Sequence, residues 1–127
     1  MSVIGLGVDI VNIKRIEKLL LNNKKKFLSK ILHTKEKQNK KEFSANTIAK
    51  KFAAKEAFAK AIGTGIGKTI NFSEIFIDHN RSGAPKIKLN KNVEKRILEK
   101  LRSEKIKFFL SISDDYPFAA ATVIISN

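Results

Sequence analysis

Cysteine is missing from all 127 residues, which excludes disulfides, thiol nucleophiles and thiolate zinc sites. Histidine occurs only at 33 and 79, in polar segments expected at the surface and at no spacing that links them to other ligands. A Ser–His–Asp hydrolase is therefore a poor candidate. No apolar run approaches the ~20 residues that a membrane span needs. The apolar N-terminus lacks the basic stretch of a secretion signal and is interrupted by Asp9, so the expected compartment is the cytoplasm. Arginine is scarce, confined to 15, 81, 96 and 102. The formal net charge of +14, from 26 Lys+Arg against 12 Asp+Glu, is thus mostly lysine. Such a charge attracts any polyanion, whether nucleic acid, acidic lipid or acidic protein. Sequence-specific base readers favour the arginine fork, so the lysine excess argues weakly for that role.

What the chain does have is enough apolar residues, 43%, to fill one core, and a length that suits one domain over residues 1–127. Its centre is Lys51–Lys68, KFAAKEAFAKAIGTGIGK. At about 100° per residue, Ile48, Ala49, Phe52, Ala53, Ala59 and Ile62 fall on one apolar arc of a helix spanning Ala45–Ile62. Glu56 lies within that arc, between Phe52 and Ala53, and Lys60 follows one turn later. A carboxylate on an inward face is costly unless a cation or hydrogen bonds compensate it. Gly63, Gly65 and Gly67 follow the helix, with Lys68 behind them. Together these residues suit a metal-neutralised phosphate. The plainer alternative is a surface ion pair worth a few tenths of a kcal/mol, followed by a C-cap and a turn.

Val3–Val11 alternates as a strand. Ile4, Leu6, Val8 and Ile10 share one face, while Gly5 and Gly7 leave the other bare until Asp9. Glycines weaken a strand, so they signal something approaching that face closely. The plainer reading of Asp9 is the residue that ends a strand before a helix, a common place for Asp. Asn12 is the expected N-cap of a helix through Leu21, whose exposed side carries Lys14, Arg15 and Lys18. Lys24–Lys26, Lys35, Lys37, Lys40 and Lys41 extend the basic character past a second short helix around Phe27–Leu32. That run is either a solvated face or a dock for an acidic partner near Asp9. Strands are expected at Phe72–Asp78 and Pro85–Leu89 and a helix after Asn90 or Asn92. A last hairpin joins Phe108–Ser113 to Phe118–Ile125. The pattern gives an α+β fold with an antiparallel sheet packed against a long central helix.

Gly5-Leu6-Gly7-Val8-Asp9-Ile10, then Lys51-Phe52-Ala53-Ala54-Lys55-Glu56-Ala57 with Lys60-Ala61 and Gly63-Thr64-Gly65, resembles the holo-[acyl-carrier-protein] synthases. These form the short-chain branch of the 4′-phosphopantetheinyl transferase superfamily. Gly83-Ala84-Pro85 is similar to their Gly-x-Pro turn, and Phe118–Ile125 to their last strand, so the resemblance spans about residues 3–126. It implies that Asp9 and Glu56 hold a magnesium ion, for which carboxylates plus substrate phosphates are suited ligands. It also implies transfer of the 4′-phosphopantetheine arm of coenzyme A to a serine of apo-acyl carrier protein, supporting fatty acid synthesis. Catalysis would fall to Asp9, Glu56 and Lys60, with Asp9, Glu56 or a water on the metal taking the serine proton. Lys51, Lys68, Pro85 and the amides of the Gly63–Gly67 loop would contact coenzyme A. Lys14, Arg15 and Lys18 would dock the acidic carrier. The resemblance further implies a homotrimer with its site between subunits. One departure is Phe109, where many relatives carry histidine. The competing readings are a small basic nucleic-acid-binding module, resting on charge alone, and a catalytically dead relative, resting on Phe109.

Overall fold

The computed structural model describes residues 1–39 and 43–127; Lys40 and Lys41 of the basic run lie outside the described residues. Strand β1 (Val3–Asn12) leads into helix α1 (Ile13–Ile31), a short α2 (Thr34–Lys37) and the long α3 (Ala45–Ile62). A 3-10 turn at Phe72–Glu74 precedes β2 (Phe76–His79) and β3 (Pro85–Lys88). Helix α4 (Lys91–Leu101) and the hairpin β4 (Lys107–Asp115) and β5 (Phe118–Ser126) complete the fold. The antiparallel main sheet has the order β1-β5-β4, and β2 and β3 form a separate antiparallel pair. The expected α+β architecture around a central helix is what the chain adopts. Among the described residues no helix is long and apolar enough to cross a membrane.

Sequence explains the elements locally. Asn12 caps α1 through its side chain, accepting from the Lys14 amide at 3.0 Å. Helix α1 breaks at Asn23, whose φ of −156° is not helical, and the Asn23 side chain recaps the remainder by accepting from the Lys26 amide at 3.2 Å. The expected pair of helices is therefore present as one kinked element. The strand expected over Phe72–Asp78 begins only at Phe76. A side-chain bond explains the delay: Glu74 accepts from the Asn71 amide at 3.0 Å and curls the chain first.

Helix α3 lies directly on β1, and the glycines of β1 make this possible. A Cβ on Gly7 would stand 1.9 Å from the Ala57 carbonyl oxygen, and one on Gly5 2.2 Å from that of Ala61. Ala53, Ala54, Ala57 and Ala61 supply a matching small-residue face on the helix, all of them buried. Burial around α3 is completed by Ile13, Ile16 and Ile31 of α1 and by Val123 and Ile125 of β5. The greasy face of β1 thus turns away from the core. Leu6 and Ile10 are each 66% exposed and Val8 60%, and Phe109 and Phe118 of the same sheet are about half exposed. Scattered exposed apolar residues are ordinary, but a row of them across one sheet is not.

Candidate active site

Asp9 and Lys60 meet where β1 passes the last turn of α3. The Lys60 ammonium donates to Asp9 Oδ1 at 3.0 Å and to the Val8 carbonyl oxygen at 3.1 Å. Glu56, one turn earlier on α3, is half-buried. Burial raises its carboxyl above the usual range and the charge of Asp9 raises it further, while Lys60 and Arg15 pull it down. The Arg15 guanidinium rests over the Phe52 ring, 5.9 Å from its centroid, and Phe52 stacks on Phe72 at 5.1 Å. The structure therefore brings Asp9, Glu56, Lys60 and Arg15 into one electrostatic neighbourhood. Among the described residues no cluster of three or more His, Cys, Asp or Glu forms. Two carboxylates feeling one another's charge fit Mg²⁺, which keeps most of its shell for water and substrate oxygens.

Other sequence-derived residues lie elsewhere. Lys14 and Lys18 are exposed on α1. Lys51 and Pro85 line a cavity of about 300 Å³ with Lys50, His79, Ile112 and Asp114. On α3, Lys51 sits about 140° around the helix from Glu56 at 100° per residue, so the two belong to opposite flanks. Gly63 ends α3 with φ +94°, a conformation suited to glycine. The expected amide cradle over Gly63–Gly67 does not form as such. The amides of Gly63, Thr64 and Gly65 donate to the last carbonyls of α3, and that of Gly67 donates to Ile70 O. A helix C-terminus also presents the negative end of its dipole. What this loop offers an anion is open space beside the glycines and the exposed Lys68.

A buried ion network escaped the sequence reading. Lys55 and Glu36 are almost wholly buried and form a salt bridge. Lys55 Nζ also donates to Ile31 O at 2.7 Å and to Phe72 O at 3.1 Å. Glu36 further accepts from the amides of His33, at 2.8 Å, and Ile77, at 3.1 Å, with Lys51 at 3.4 Å. His33, expected at the surface, is instead buried: its Nδ1 accepts from the Lys35 amide at 3.0 Å and caps α2. Two signals were present. Lys55 falls about 20° from both Ile48 and Ile62 on the helical wheel, and Glu36 stands three residues after its cap, in a capping-box spacing.

Burial drives the Lys55 ammonium down from 10.5 to about 8, against the raising effect of Glu36. Above about pH 8 the unfolded chain therefore holds this proton more tightly than the folded one. Lys55 then contributes stability that is full above 10.5 and lost as pH falls through about 8. Glu36→Gln, which leaves a buried ammonium uncompensated, is expected to cost about 3–5 kcal/mol at neutral pH, read by urea unfolding. Its deficit should shrink towards pH 10. A deficit that stays constant across that range would refute the assignment.

Residues 5–121 match the family model described as the 4′-phosphopantetheinyl transferase superfamily. The chain is 41% identical to the holo-[acyl-carrier-protein] synthase of Bartonella bacilliformis, covering 97% of this chain and 95% of the relative. The fold superposes on the crystal structure of that synthase from Neisseria meningitidis with a TM-score of 0.84, at 35% identity, covering 99% of this chain and 100% of the other. The Helicobacter pylori synthase, solved in complex with coenzyme A, gives 0.81 at 38% identity, over 95% and 99% of the two chains. With matches of this extent across the whole fold, the chain belongs to the 4′-phosphopantetheinyl transferase superfamily.

Proposed function

We propose that this protein is a holo-[acyl-carrier-protein] synthase. It moves the 4′-phosphopantetheine arm of coenzyme A to a serine of apo-acyl carrier protein and releases adenosine 3′,5′-bisphosphate, supplying carriers for fatty acid synthesis. The observation that carries the reading is the meeting of Asp9 with Glu56 and Lys60 in a chain of this superfamily.

The serine oxygen forms a bond to the β-phosphorus, and the bond from that phosphorus to the bridging oxygen breaks. Negative charge then grows on the pyrophosphate oxygens. Magnesium, held by Asp9 and Glu56, would supply a hard cation to offset that charge. Lys60 adds a second positive charge from the same side. A carboxylate oxygen of Asp9 or Glu56 that the ion leaves free, or a water beside them, would accept the serine proton. Arg15, held over Phe52 beside Glu56, presents with Lys14 and Lys18 a basic face for an acidic carrier. Lys51 and Pro85 would grip the nucleotide end of coenzyme A in their cavity, with Lys68 and the space beside Gly63, Gly65 and Gly67 as a further phosphate contact.

Because that cavity and the carboxylate pair lie on opposite flanks of α3, a neighbouring copy is the natural source of the missing half. The row Leu6, Val8, Ile10, Phe109 and Phe118 gives such copies an apolar face to share, which supports a homotrimer. Phe109 belongs to that face, so its substitution for histidine leaves the carboxylates untouched. Incubation with coenzyme A, Mg²⁺ and apo-carrier should add the mass of the arm to the carrier. An unmodified carrier would overturn the function. Light scattering at the 14.3 kDa of one chain would overturn the shared site.

A further inference from the structure

Lys60 engages one of the carboxylate oxygens that a cation held by Asp9 would draw on. Its Nζ is bound by two oxygens of successive β1 residues, Val8 O and Asp9 Oδ1, at 3.1 and 3.0 Å. Glu56 stands near enough to feel both Asp9 and Lys60. An ammonium at hydrogen-bond distance from a carboxylate oxygen and a divalent ion on that same oxygen repel strongly at such short range. One must give way. The two side chains are unequally held: that of Lys60 is 50% exposed and that of Asp9 15%. The lysine, on a four-carbon stem with three donors, is the partner able to swing.

We infer that Lys60 is a resident stand-in for the divalent ion and exchanges with it. In the ion-free enzyme its ammonium neutralises Asp9 and fixes the carboxylate. When the ion arrives, Lys60 needs another anion, and the pyrophosphate of coenzyme A provides one. This inference rests on the two-carboxylate reading above and adds an order of events: the ion binds weakly alone and tightly with coenzyme A. By linkage, each tightens the other by the same factor. Lys60 therefore acts twice with opposite sign, opposing the ion before the donor arrives and assisting the donor afterwards.

The test uses Mn²⁺ as probe, with free ion read by electron paramagnetic resonance, with and without coenzyme A and with no carrier present. Lys60→Met keeps the length and removes the charge, and a half-exposed site tolerates it. It should bind Mn²⁺ roughly tenfold more tightly than wild type in the absence of coenzyme A. The tightening produced by coenzyme A should shrink in the same variant. Lys60→Arg, which retains the charge, should keep the weak binding of wild type, and Asp9→Asn should lose binding altogether. Equal or weaker binding by Lys60→Met overturns the exchange and leaves the carboxylate pair standing. Absence of Mn²⁺ binding by wild type, even with coenzyme A, overturns the metal reading and the exchange together.

Discussion

Replacing Gly7 by alanine is expected to cost about 3 kcal/mol of folding stability and at least a hundredfold in transfer rate. The added carbon would lie 1.9 Å from Ala57 O and 2.7 Å from Ala61 N, both backbone atoms of α3. No side-chain rotation relieves such a clash, so helix and strand must separate by more than an ångström. Overpacking of this kind costs about 1–3 kcal/mol and occasionally more, and here the helix is gripped on its other sides by α1 and the Glu36–Lys55 network. The same displacement pulls Asp9, two residues along β1, away from Glu56, the neighbour of Ala57. A shift of about 1 Å at reacting groups is enough for a hundredfold loss. Urea unfolding and the carrier-modification rate check both halves. A variant within about 0.5 kcal/mol of wild type would show that the strand and helix are not in the contact described.

Asp9→Ala and Glu56→Ala should each lower the transfer rate by on the order of 10³, yet stability should respond differently from Gly7→Ala. The carboxyl of Glu56 is raised in the folded state. Its contribution to stability is therefore present below the unfolded value of 4.5 and lost as pH rises through the folded value. At neutral pH the ionised Glu56 works against the fold. Glu56→Gln should be no less stable than wild type there, and that advantage should vanish at pH 4. Lost turnover with undiminished stability marks a residue kept for chemistry. Single-turnover rates alongside thermal melts at both pH values decide the matter. Activity above a tenth of wild type in either alanine variant would remove that residue from the site.

The legible part of this molecule was the part written in short-range pattern. Gly5 and Gly7 announced a close approach, and α3 is what approaches. Glu56 stood out because charge sat where periodicity asked for an apolar residue, Lys60 because it followed one turn later, and Asp9 because it came after Gly5 and Gly7 on the bare face of β1. Alternation identified the greasy face of β1 but not the side on which the core would form, since a strand offers two faces and only tertiary packing chooses. Loop glycines revealed the end of α3, whereas the direction of their amides depends on carbonyls that only the folded helix end supplies. Lys55 was visible on the wheel between Ile48 and Ile62, but nothing nearby in sequence named its partner. Glu36 lies 19 residues upstream and reaches it from α2. The net charge, by contrast, said little: lysines at 51 and 55 share the buried carboxylate of Glu36, while Lys60 pairs with Asp9 at a half-exposed site.

One peptide bond joins Lys55, anchored among the carbonyls of Ile31 and Phe72, to Glu56, turned towards Asp9. Drift in the anchor is thus transmitted to the carboxylate without passing through any flexible segment. Selection for enzymatic output in a growing cell would purge changes at Glu36, although that residue lies far down the chain from the chemistry. A map of mutational intolerance would draw scaffold and catalyst here as one outline.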